Sequence, residues 1–163
     1  MIPMNNNKSL IVYFSLSGNT KEAAQVIQKD TGADIFRLTA KDPYPADYDD
    51  YAKRGDYERR HQIHPAIKNR ILDWDKYQVI YLGFPTWWQQ PPMIIHTLFD
   101  DYSFAGKTIV PFTTSMSTPM ADSMPYIRKM AAKDHAQVVP GYRYDGDKQG
   151  MRKWLQREHL LEK

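Results

Sequence analysis

The chain has 163 residues, 42% hydrophobic and 25% charged, with a formal net charge of +3, which suits one globular domain with a continuous core and is too little for two. No stretch approaches the roughly 18 apolar residues of a membrane-spanning helix, and the absence of cysteine removes thiol nucleophiles, redox disulfides and thiolate metal ligands. Lys and Arg are interleaved with Asp and Glu instead of forming a stripe, so no nucleic-acid or membrane partner is expected; the lack of a secretory-type start and of cysteine suggests the cytoplasm.

Residues 1–7, ending in Asn5-Asn6-Asn7, are expected to be a flexible N-terminus, and 8–163 a single domain. Lys8 to Phe14 is a short apolar run of the kind that forms a buried parallel strand. The polar turn Ser17-Gly18-Asn19-Thr20 follows. Ala23, Ala24 and Ile27 then mark one face of a helix ending near Thr31-Gly32, where glycine supplies a left-handed cap. Asp34 to Leu38 is a second strand, and Thr39 to Arg60 is predicted as a long surface excursion with Tyr44, Tyr48, Tyr51 and Tyr57 as lid aromatics. A helix is expected over Pro65 to Leu72 and a third strand over Tyr77 to Leu82, stopped by Gly83-Phe84-Pro85. Met93 to Phe99 reads as a short buried helix, and Lys107 to Phe112 as a fourth strand, with Pro111 awkward near its end. Met116 to Ala132 has helical spacing, Gln137 to Pro140 is a short fifth strand, and Lys148 to Leu161 is a closing amphipathic helix. Strands alternating with helices imply right-handed crossovers, a parallel sheet covered on both faces, and a ligand beyond the carboxyl ends of the strands.

Three loops lie at that edge. Ser15-Leu16-Ser17-Gly18-Asn19-Thr20 brings three hydroxyls, an amide and a glycine to a helix start, a neutral cradle for a phosphate dianion; the same residues also make an ordinary capped helix, and both readings stand. Pro85-Thr86-Trp87-Trp88 begins a proline-stiffened loop with paired indoles that call for a flat partner, either an isoalloxazine ring or a neighbouring loop. Thr113-Thr114-Ser115-Met116-Ser117-Thr118 offers small hydroxyls to the polar edge of such a ring.

The segments S-L-S-G-N-T after I-V-Y-F, then G-F-P-T-W-W, then G-K-T-I-V-P-F-T-T-S, resemble the flavodoxin family, in particular its short-chain, flavodoxin-like FMN-binding branch. The resemblance runs from Lys8 to Leu161. It implies a flavodoxin-like three-layer α/β sandwich with a five-stranded parallel sheet in order 2-1-3-4-5 and FMN as cofactor at the switch point. Carried over, Ser15, Ser17, Gly18, Asn19 and Thr20, with Leu16 between them, meet the phosphate. Pro85, Thr86, Trp87 and Trp88 meet the ring and ribityl region, and Thr114, Ser115, Met116 and Ser117 the pyrimidine side. Relatives often have glycines in the third loop where Met116, Thr118 and Pro119 stand here. Electron-carrier flavodoxins are also typically acidic and this chain is not, so a less strongly reducing flavin and a different docking preference are expected.

Other motifs carry less. Gly106-Lys107-Thr108 lacks the earlier glycine of a Walker loop, since position 101 is Asp. His61 and His64 have no third metal ligand in view, and Asp73 with Asp75 precede a strand at its amino end, as turn formers. No side chain is then expected to be catalytic and no metal is expected. The chain reads as an FMN-binding electron-transfer protein serving a redox partner protein. The alternatives are an NAD(P)H-dependent quinone or nitro reductase acting on a small-molecule acceptor, or a flavin-free interaction module. The expected state is a monomer or homodimer.

Overall fold

Alternation along the first strand sets the layers. In the computed structural model, which describes residues 8–161, β1 (Ser9–Tyr13) sends Leu10 and Val12, with the following Phe14, into one apolar cluster and Ile11 and Tyr13 into another. The expectation for residues 1–7 lies outside the described residues. On the Ile11 side sit α1 (Asn19–Thr31), through Ala23, Ala24 and Ile27, and α5 (Lys148–Arg157), through Met151, Trp154 and Leu155. On the Leu10 side sit α3 (Met93–Asp101), through Ile94, Ile95 and Leu98, and α4 (Met124–Ala132), through Met124, Ile127 and Ala131. Ile27 alone, fully buried, stabilises the α1 contact by about 1.5–3 kcal/mol. Gly32 ends α1 at φ 73, giving its N–H to the Gln28 carbonyl, the predicted left-handed cap.

The strands β2 (Asp34–Arg37), β3 (Val79–Pro85), β4 (Thr108–Thr114) and β5 (Gln137–Val138) complete a parallel sheet in the predicted order 2-1-3-4-5. The fifth position is shared with β6 (Tyr142–Tyr144), which also pairs with β4 in parallel. Ile109 faces Val138 and Phe112 faces Tyr142, so residues 139–141 stand opposite 110–111, one residue in excess. This bulge explains Pro111 in a central strand: it has no N–H to give and lies opposite the break, with its carbonyl 2.9 Å from where a Cβ on Gly141 would be.

Besides the added strand β6 and the start of α4, which falls at Met124 and not at Met116, the sequence reading is corrected in three places. The excursion after β2 contains α2 (Tyr48–His61), begun by Asp47, whose carboxylate accepts from the Asp50 N–H at 3.3 Å. Only Gly55 and Glu58 of α2 are buried, so it has no apolar stripe for periodicity to detect. Its support comes from acids in the first turn, bases in the last, and the pairs Arg54–Glu58, Asp56–Arg59 and Asp56–Arg60. Second, the helix expected over Pro65 to Leu72 is absent. That segment bonds to the chain after β2, with Lys41 N–H to the Ala66 carbonyl, Lys68 N–H to the Thr39 carbonyl, and the Asn69 amide on both Thr39 and Arg37. Third, Gly83-Phe84-Pro85 does not stop the third strand but continues it. A Cβ on Gly83 would lie 2.2 Å from the Phe112 ring, so the glycine makes room for packing and does not break the strand.

Candidate functional site

The loop joining β1 to α1 is braced from within. Ser15 is buried, and its hydroxyl oxygen accepts from the N–H groups of Gly18 at 3.3 Å and Lys21 at 3.2 Å. Gly18 has φ 97, a left-handed value that strains any residue with a Cβ. The Ser17 hydroxyl accepts from Asn19 N–H at 3.5 Å, and the Arg37 guanidinium donates to the Ser15 carbonyl at 2.6 Å, pinning the loop from β2. The N–H groups of Leu16, Ser17 and Thr20 meet no acceptor among the described residues. Open donors at the positive end of a 13-residue helix form an anion cradle, and no lysine or arginine lies in the loop. Of the predicted phosphate residues, Ser15 shapes the loop from inside. Ser17 and Asn19 are exposed at its mouth, Leu16 and Gly18 are half-buried, and Thr20 is buried.

The three loops are bonded to one another. The Thr20 and Thr114 hydroxyls lie 2.7 Å apart, joining the first loop to the third. Thr86 N–H donates to the Thr114 carbonyl at 2.9 Å, joining the second to the third. Thr113 donates its hydroxyl proton to the Phe84 carbonyl at 2.8 Å, so across the 2.6 Å contact between them Thr86 is the donor and Thr113 the acceptor.

In the second loop Pro85, Thr86 and Trp87 are half-buried and Trp88 is 51% exposed. Trp87 meets Phe14, Tyr44 and Tyr51 at centroid distances of 5.6, 5.5 and 5.6 Å, the last one stacked. The flat partner this indole receives is therefore Tyr51 of α2. Gly55 lets the helix approach so closely, because a Cβ there would lie 2.9 Å from Trp87 Cε3. Trp88 and Gln89 take φ 55 and 65 at the centre of a turn closed by Trp87 and Gln90, a conformation that costs non-glycine residues on the order of 1 kcal/mol each. The Trp88 indole N–H donates to the Ala52 carbonyl of α2 at 3.1 Å, helping to hold the strained turn.

Behind Trp87, the Tyr44 hydroxyl donates to Glu58 at 2.5 Å, and Arg54 bonds the same carboxylate at 3.1 Å while lying 3.8 Å from the Tyr44 ring. Burial first, and then the bond to Glu58, push the Tyr44 phenol far above its usual range, so it stays a neutral donor.

In the third loop Met116 is 99% exposed and Ser117 is also exposed, whereas Ser115 is half-buried. Arg143 of β6 donates to the Ser115 hydroxyl at 3.0 Å and to the Ser115 and Met116 carbonyls at 3.0 and 2.6 Å. Sequence reasoning missed this arginine, because its strand was not recognised and its role depends on three acceptors about 27 residues away. Beside the loop, Asn19, Glu22, Thr114, Tyr144 and Asp145 line a cavity of about 210 Å³. Burial, then the 2.9 Å bond to Glu22, push Tyr144 up to about 12. On the other side, Tyr48, Tyr51, Thr86, Trp87 and Trp88 line a cavity of about 170 Å³.

Three bonded loops beyond the carboxyl ends of β1, β3 and β4, with a neutral anion cradle at the strand-order reversal, define an α/β protein built for a mononucleotide. Residues 8–158 match the flavodoxin family, and the chain belongs to it. It is similar to a Bacteroides eggerthii structure assigned to the flavoproteins (30% identity, TM-score 0.82, covering 93% of this chain and 98% of that one). A similarly assigned Bacteroides uniformis structure has 27% identity and TM-score 0.82, covering 93% and 99%. A Lactobacillus acidophilus flavoprotein, solved in complex with FMN, has 25% identity and TM-score 0.74, covering 91% and 98%. No curated protein matches the chain significantly.

Proposed function

We propose that this FMN-binding, flavodoxin-like protein passes electrons between a donor and a redox partner protein. The carrying observation is the cradle at residues 15–20, whose three open N–H groups and left-handed Gly18 fit a phosphate dianion with no cation in the loop itself. The bound flavin supplies the redox chemistry. Leu16, Ser17 and Thr20 would hold its phosphate through their N–H groups, Ser17 and Asn19 would close over it, and Ser15 and Arg37 keep the loop in shape. The exposed Trp88 ring and the exposed Met116–Ser117 segment would orient the rest of the cofactor, while Thr86 and Ser115, bonded to their neighbours, keep the second and third loops in place. Trp87, covered by Tyr51, acts as the wall behind it and excludes water there.

The cavity lined by Tyr48, Tyr51, Trp87 and Trp88 favours a second reading, reduction of a small aromatic acceptor with NAD(P)H. No described helix is long and apolar enough to cross a membrane; we place the protein in the cytoplasm, as a monomer or homodimer. The purified protein should show the visible bands of bound flavin, and NADPH alone should not bleach them. Rapid bleaching without a partner protein would make it a reductase, and a colourless protein that leaves added FMN fluorescence unquenched would make it an interaction module.

A further inference from the structure

A cavity of about 500 Å³ lies away from the phosphate cradle, between α3 and α4 and beside the end of α2. Its size is that of a small-molecule site, and Phe99, Tyr126 and Met130 give it apolar walls. Two ammonium groups, Lys129 and Lys133, and one carboxylate, Asp100, line it, a formal excess of one positive charge. Asp100 takes the His64 ring at 2.5 Å, and Lys133 donates to the Phe99 carbonyl at 2.7 Å. Lys133's bond is to a neutral carbonyl and leaves its charge in place, while Lys129 has neither hydrogen bond nor ion pair among the described residues and stands free at the rim.

His96 in the wall adds a second polar group. Its Nε2 is sealed from solvent with no partner, and an N–H there would be an orphaned donor, so the proton belongs on Nδ1. Burial, with His64 and Lys129 nearby, lowers the ring's pKa and favours the neutral form, which leaves Nδ1–H as the ring's donor in the cavity wall. Gln90 completes the wall, and its backbone closes the strained Trp87–Gln90 turn of the second loop, so an occupant would touch the reverse side of that loop.

We propose that the α3–α4 cleft is a second ligand site that takes a small aromatic monocarboxylate, its ring between Phe99, Tyr126 and Met130 and its carboxylate on Lys129 and His96. One or two rings suit the volume, and a single negative charge matches the cleft's excess of one positive charge.

The test is calorimetric titration of the full chain with 2-naphthoate, with and without saturating FMN. Saturable one-to-one binding is expected, unchanged by FMN. Lys129→Gln should weaken it about tenfold or more, the loss typical of one charge-assisted bond, and should narrow the preference for 2-naphthoate over the neutral 2-naphthamide. Lys129 is exposed, so the variant should keep its melting temperature; His96→Phe should lower affinity in the same direction. Absence of saturable binding, equal affinity of the wild type for acid and amide, or displacement by FMN would each overturn the assignment.

Discussion

The phosphate loop and the tryptophan loop sit side by side at one sheet edge but are held in different ways. In the first, the Ser15 hydroxyl accepts from Gly18 and Lys21 and the left-handed turn is at a glycine, so most of the bracing is internal, with Arg37 and Thr114 adding one bond each from outside. In the second, the left-handed residues are Trp88 and Gln89, and the turn rests on Ala52, Tyr51 and Gly55 of a helix more than 30 residues earlier. A loop that carries its own bracing can bind a constant chemical group such as a phosphate. A loop braced by a separate helix can change its cover without disturbing the cradle, as expected of the part that meets a variable partner.

The largest expected effect comes from breaking the self-braced loop. Ser17→Asp places a carboxylate at the mouth of the cradle and should weaken FMN about 100-fold or more, while the exposed position leaves thermal stability unchanged; a flavin fluorescence-quenching titration beside a melting curve checks both. Gly55→Val acts on the other loop. Its Cβ meets Trp87 at 2.9 Å, so α2 must lift, with a cost of about 1–3 kcal/mol in urea unfolding and red-shifted tryptophan emission.

Tyr44→Phe removes the hydrogen bond to Glu58 and should cost about 1 kcal/mol. The pH profile sharpens the point. The folded phenol is held above its usual value of 10.0, so its contribution is fully present below about pH 10 and is lost as pH rises beyond that, where the unfolded phenol ionises first. Wild-type stability should therefore fall more steeply above pH 10 than that of Tyr44→Phe. Smallest of all, Met116→Ala should stay within about 0.5 kcal/mol of wild type, because Met116 is 99% exposed and its loop is held by Arg143.

What could be read from the sequence follows the same division. Buried strands, the α1 cap at Gly32 and the Ser15–Thr20 loop depend on apolar runs and neighbours within a few residues, and these are visible in one dimension. Helix α2 is held by charge pairs and one glycine contact, without an apolar stripe, so it reads as a polar excursion. Arg143 depends on a bulge that places β6 beside the third loop, which no local pattern announces. The paired tryptophans were legible as a demand for a flat neighbour, but not that Tyr51 meets it for Trp87, since that partner arrives only with α2.

The central claim is that uncharged donors at residues 15–20 bind a phosphate, and comparing FMN with riboflavin, the same ring without its phosphate, tests it most directly. The account predicts that FMN quenches on binding at about 100-fold or more lower concentration than riboflavin. Equal affinity for the two flavins would contradict it.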